Sequence, residues 1–313
     1  MKDALYGGVN AAVLTALDEE LAPDLDRMAE HAHWLLAHGC NGLGVLGTTG
    51  EANSFSGRER MAILEGLTAR GVPAARMMPG TGVSSITETV ELTRHARAQG
   101  CPGVLLLPPF YYKGPSDDGL FAHFSEVAKR VGGGVALYLY HFPQQSAVPF
   151  SLDLIARLLE AFPGVFKGVK DSSGDYANTK AMAERFGPAG FEVYTGSDEN
   201  LQRVLADGGA GCITATSNAN CPWGGIVYAK RTGAEADAAQ AMLAATRKVA
   251  ASRPLIPGLR EVIARSRGDM AWRRIRPPHL PLPPAQAEET WAAWVATGAI
   301  PLPGMPAVKA AAE

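Results

Sequence analysis

The sequence predicts an α/β protein, a (β/α)8 barrel followed by a C-terminal helical extension. Eight short apolar runs alternate with longer stretches of helical period over about 230 residues. The runs are apolar almost throughout, as strands covered on both faces must be. A count of eight suits a closed barrel better than an open doubly wound sheet.

In order, the runs are "GVNAAVLTAL" from Gly8, "GLGVLGTT" from Gly42, "AARMMPGTG" from Ala74 and "GVLLLPP" from Gly103. They continue with "GVALYLYH" from Gly134, "GVFKGVKD" from Gly164, "FEVYTGSD" from Phe191 and "AGCITATSN" from Ala210. Helical stretches such as "LDRMAEHAHWLLAHG", "GRERMAILEGLTARG" and "SITETVELTRHARAQG" separate them. Several begin after Ser or Asp and stop at Gly, as capping chemistry dictates. The barrel is expected over residues 1–225 and the extension over 226–313. Within the extension, "GAEADAAQAMLAATRKVAASR", "GLREVIARSRG" and "ETWAAWVATGA" read as helices. "RPPHLPLPPAQ" reads as an extended stretch packed on the body, and the terminal "AVKAAAE" as frayed.

The bulk numbers narrow the function. The chain is 47% hydrophobic and 19% charged with a formal charge of −2, so no electrostatic case exists for nucleic acid or an anionic membrane. "RRIR" at Arg273–Arg276 reads as solvated surface. Four cysteines without a C-x-x-C pair argue against a zinc site or a disulfide framework and suit a reducing cytoplasm. The first twenty residues contain acidic groups and no long apolar run, unlike a signal peptide or a membrane span.

Gly42, Gly44 and Gly47 fit G-x-G-x-x-G, the dinucleotide fingerprint. The order is wrong for it: a helix precedes these glycines and the strand runs through them. A carboxylate cradle at a strand end is the better reading. His31, His33 and His38 share one helix without the spacing of a metal site and read as partly exposed surface.

Barrel enzymes keep their chemistry at the C-terminal ends of the strands. Those ends hold Thr48, Thr49 and Glu51, then Tyr111 and Tyr112, Tyr140 and His141, Lys170 and Asp171, Gly196 and Ser197, and Ile213. Strand alternation puts Phe166, Gly168 and Lys170 on one face. If that face points inward, Lys170 enters an apolar barrel mouth, where desolvation favours the neutral, nucleophilic amine. Taken singly, a strand-end lysine is as readily structural or solvated. Tyr140 could transfer a proton, with Thr49 as its polarising neighbour, or serve as a core aromatic. Glu51 reads as a helix-start residue favoured by the dipole.

Together, "GLGVLGTTGEANSFSGRER", "PPFYYKGPSDDGLFAHF", "YHFP", "GVKDSSGD" and "TGSD" resemble the dihydrodipicolinate synthase/N-acetylneuraminate lyase family of class I aldolases. The resemblance runs from about Gly7 to Pro277. It implies a Schiff base between Lys170 and the ketone of pyruvate or another 2-oxo acid, with no metal or external cofactor. Tyr140 would be the proton-transfer phenol, and Thr48 and Thr49 would grip the carboxylate. Tyr112 would enter a neighbouring subunit's site and complete a Thr49–Tyr140–Tyr112 relay, in a homotetramer built as a dimer of dimers. Ile213, Gly196 and Ser197 would line the pocket.

The sequence also departs from that family. Gln145 stands where the synthases carry an arginine for the second substrate's carboxylate, and His141 replaces their usual asparagine. Gln cannot make a charge-assisted bidentate contact. "KDSSGD" is closer to members acting on 4-hydroxy-2-oxo acids or 2-oxo-3-deoxy sugar acids, so aldol cleavage or condensation of such an acid leads. Dehydration of a 2-oxo-3-deoxy sugar acid and dihydrodipicolinate synthesis follow. Outside this chemistry stand a non-catalytic small-molecule-binding barrel and a phosphate-binding barrel enzyme using "DGGAGC".

Overall fold

The computed structural model describes residues 4–299 and 302; the tail "AVKAAAE" lies outside them. Among the described residues, seven strands form one parallel sheet: β1 (Gly8–Ala12), β2 (Gly42–Gly44), β3 (Gly103–Leu106), β4 (Ala136–His141), β5 (Phe166–Asp171), β6 (Glu192–Thr195) and β7 (Gly211–Thr214). Their spatial order is β2-β1-β7-β6-β5-β4-β3.

The run "AARMMPGTG" closes the ring without becoming a regular strand. Met78 N–H donates to Leu43 O at 2.8 Å on one side, and Leu105 N–H donates to Pro79 O at 2.9 Å on the other. Pro79 has no N–H to give, and Ala74–Arg76 forms a 3-10 turn, so the ladder is reduced to single bridges. The eighth position of the barrel is therefore occupied by an irregular segment.

Side chains alternate across the wall. Leu137 and Leu139 of β4 join the layer between strands and helices, while Tyr138 and Tyr140 face the barrel interior. Helix starts follow the capping chemistry. Asp24, Ser85, Ser116 and Ser151 accept from backbone N–H groups, and Ser56 with Glu59 completes a capping box.

The helix Ser217–Lys230 packs against β1 and β7, and the expected boundary at 225 falls inside it. Helices Ala234–Ala251, Leu255–Arg267 and Pro284–Ala296 follow. No described helix is long and apolar enough to cross a membrane.

Packing corrects two surface expectations and adds to the helix-start reading of Glu51. His31 is fully buried: Arg267 donates to its Nδ1 at 2.9 Å, and its Nε2 meets Asn218 Oδ1 at 3.1 Å. Burial and the Arg267 charge push its pKa down to about 3. The "RRIR" arginines are not simply solvated. Arg273 binds Glu261, Arg274 binds Glu19, and Arg276 reaches Leu21 O, Ser54 O and Glu59. Glu51 does precede the 3-10 turn Ala52–Ser54, but its side chain turns into a buried ion pair with Arg260.

Candidate active site

A register shift decides which way Lys170 points. Leu137 pairs with Phe166 but Tyr138 with Gly168, so Lys167 is an extra residue in β5. Phe166 consequently packs outward against Phe124 and Phe162. The premise that Phe166 faces inward is corrected. The bulge nonetheless returns Gly168 and Lys170 to the interior side. A Cβ on Gly168 would lie 2.3 Å from Glu192 O and 2.8 Å from the Tyr138 ring. Only glycine fits beneath the lysine.

Lys170 is buried at 5% exposure, with its Nζ 4.3 Å from the Tyr140 ring centroid. It makes no hydrogen bond or ion pair among the described residues. Tyr140 is buried and stacks on Phe142 at 5.9 Å. Its hydroxyl meets Thr48 Oγ1 at 3.4 Å. The threonine hydroxyl in contact with Tyr140 is that of Thr48; the sequence suggested Thr49 as its neighbour.

Both threonines line a cavity of about 390 Å³ with Lys170, Tyr140, Gly196 and Ser197. The N–H groups of Thr48 and Thr49 donate to no acceptor among the described residues. The loop that presents them holds Leu46 and Glu51 at φ 55° and 57°, a left-handed backbone that costs each residue conformational energy. The buried Glu51–Arg260 pair fixes this shape: Arg260 also donates to Thr15 O at 2.7 Å.

Other candidates sit elsewhere. His141 points away from the cavity; its Nδ1 accepts from Phe150 N–H at 3.0 Å, and burial lowers its pKa against the opposing pull of Asp171. Ile213 packs in the inner cluster with Tyr140 rather than along the cavity wall. Gln145, on the short helix Pro143–Ser146, is exposed and borders the mouth. Tyr111 and Tyr112 are exposed by 75% and 64% and touch each other edge-to-face, outside the cavity.

Sequence reasoning placed Asp171 at a strand end without a role and gave the extension no place in the wall. Asp171 accepts from Thr179 Oγ1 at 2.7 Å and Ser173 N at 2.9 Å, which braces the loop after β5. Arg247, Leu255, Ile256 and His279 reach the cavity from beyond the barrel. No local pattern in "TRKVAASRPLIPG" signals that these helices fold back over the strand ends.

A more open groove of about 590 Å³ lies near the N-terminal end of β7, between Arg203 and Arg231, and holds none of the candidate residues. Among the described residues, no cluster of three or more His, Cys, Asp or Glu could hold a metal.

Comparison with known proteins finds relatives that share this fold. An uncharacterized DapA-like lyase of Chloroflexus aurantiacus is 34% identical over 278 residues, 88% of this chain and 91% of that one. Dihydrodipicolinate synthase from Agrobacterium tumefaciens str. C58 superposes with a TM-score of 0.87 at 30% identity, covering 93% of this chain and 99% of that one. YagE, a prophage protein of the dihydrodipicolinic acid synthase family from E. coli K12 solved with pyruvate, gives a TM-score of 0.86 at 26% identity over 94% and 99%. The family model described as the dihydrodipicolinate synthetase family matches residues 5–294. The chain belongs to that family.

Proposed function

We propose that the protein is a Schiff-base-forming lyase acting on pyruvate or another 2-oxo acid. Its reaction is aldol cleavage or condensation of a 4-hydroxy-2-oxo acid or a 2-oxo-3-deoxy sugar acid. The observation that carries this reading is Lys170: a buried amine without a polar partner, over a phenol and in one cavity with two undonated backbone amides. The pyruvate bound to YagE supports the substrate class.

The chemistry follows from the placement. The substrate carboxylate sits on the N–H and hydroxyl groups of Thr48 and Thr49, which brings the ketone to Nζ. Lys170 adds to the carbonyl carbon, and loss of water from the carbinolamine leaves an iminium. In cleavage, a base removes the proton of the C4 hydroxyl and the C3–C4 electron pair moves into the iminium. An aldehyde leaves and an enamine remains. Protonation at C3 and hydrolysis release pyruvate and the free lysine. Tyr140, steadied by Thr48, moves the protons. The reading requires no metal and no external cofactor.

Dehydration and dihydrodipicolinate synthesis share the same first intermediate. The names of the relatives keep the synthase in view, while the uncharged Gln145 counts against it. The four buried free thiols fit a cytoplasmic protein. The exposed Tyr111–Tyr112 pair fits a homotetramer in which Tyr112 enters a neighbour's site.

Borohydride reduction with pyruvate, read by intact mass and peptide mapping, tests the reading. One reduced adduct on Lys170, absent from Lys170→Ala, is expected. No adduct on folded protein with several 2-oxo acids would leave a binding barrel without turnover.

A further inference from the structure

The cavity is larger than its inner end requires. Pyruvate has six heavy atoms; at about 30 Å³ for each water-sized group it fills less than half of the available space. Much of the remaining wall comes from the loop after β6 and from the extension, including Ser197, Asn200, Arg247, Ile256 and His279; the segments after β4 and β5 supply the rest, among them Gln145 and Tyr176.

Arg247 differs from the other enclosed arginines of this region. Arg260 is paired with Glu51 and Arg267 with Glu30. Arg247 is half-buried, lines the cavity and makes no hydrogen bond or ion pair among the described residues. The charge that senses it is Asp198, whose carboxylate is already held by Thr216 at 2.8 Å and Asn220 at 2.6 Å. Glu199, next along the loop, accepts from Ser197 Oγ at 3.2 Å. A half-buried guanidinium with its donors free and a cavity in front of it is built to receive an anion.

We propose that Arg247 forms a distal subsite for a second carboxylate, so that the preferred substrates are 2-oxo diacids and their 4-hydroxy derivatives. This rests on the Schiff-base reading of Lys170 and adds the chemistry of the far end. One guanidinium, already sensed by the buried Asp198 carboxylate, balances a singly charged carboxylate better than a doubly charged phosphate. The positive group comes from the helix Ala234–Ala251 of the extension.

The test is reductive trapping on Lys170 with matched probes. 2-Oxoglutarate and 2-oxoadipate are compared with 2-oxopentanoate and 2-oxohexanoate, which have the same chain lengths and no second charge. The diacids should half-saturate trapping at concentrations about tenfold lower, the worth of one charge-assisted hydrogen bond. In Arg247→Gln that ratio should collapse towards one, and in Arg247→Lys it should fall in between. The ratio is read within each protein, so a general loss of reactivity cancels. The wild-type comparison stands even if a variant fails to fold. Trapping of pyruvate without a diacid preference, or a preference that survives Arg247→Gln, overturns the subsite alone. Failure to trap pyruvate overturns the Schiff-base reading, and the subsite with it.

Discussion

Gly168 and Lys170 are one functional unit. The wall beneath the lysine has no room for a side chain: a Cβ on Gly168 meets a backbone oxygen at 2.3 Å and the Tyr138 ring at 2.8 Å. Gly168→Ala should therefore cost about 1–3 kcal/mol of stability through overpacking, seen as a lower unfolding midpoint in urea. An unchanged midpoint would mean that β5 can yield. Tyr140 is tested separately. With its phenol removed, Tyr140→Phe should lose about a hundredfold or more in kcat while retaining the native fold. A rate within about threefold of the wild type would assign the proton transfers to another group.

The loop between β2 and the helix Gly57–Ala69 is held by an element that follows it by some two hundred residues. Arg260 Nε donates to Glu51 Oε1 at 3.1 Å across a sequence separation of 209. Both side chains are about 1% exposed. Breaking such a pair leaves an uncompensated buried charge. Arg260→Met should cost about 3–5 kcal/mol, whereas Glu51→Leu with Arg260→Met should recover much of that loss. Chemical unfolding of the two single variants and the double variant checks the order. If both singles unfold like the wild type, the pair contributes nothing to holding the Thr48–Thr49 loop.

The extension is part of the body rather than an appendage. His31 lies in the helix Leu25–Ala37 and is contacted by Asn218 of the last barrel helix and Arg267 of the extension. Its folded-state pKa, about 3, lies below the ordinary 6.5. Between these values the unfolded chain binds the extra proton, so stability is full above about pH 6.5 and falls as pH drops towards 3. The loss is on the order of a few kcal/mol. Glu59 behaves differently. Its carboxylate, held down to about 2 by Arg276, adds its own loss only below its ordinary 4.5. Urea midpoints between pH 7 and pH 5 should therefore decline in the wild type and flatten in His31→Gln. A slope equal in both proteins would place the acid sensitivity elsewhere.

Much of this molecule is legible along the chain because strands, helices and caps are local. Apolar runs of strand length, Ser and Asp at helix starts, and a lysine at a strand end can all be read from neighbouring residues. The barrel, the lysine-bearing strand and the family signature followed from them. Orientation is not local. The bulge at Lys167 arises from pairing with β4, so alternation gave the right face for Lys170 through a wrong premise about Phe166. His31 and Glu51 looked like surface and cap residues because their partners, Asn218, Arg267 and Arg260, lie far along the sequence. Arg247 gave no sign at all. Its significance depends on the helix Ala234–Ala251 folding back over the strand ends, and that is set by packing across the whole molecule. Composition and periodicity specify which elements form; the groups that face a common space depend on burial and long-range pairing, which appear only when the chain closes on itself.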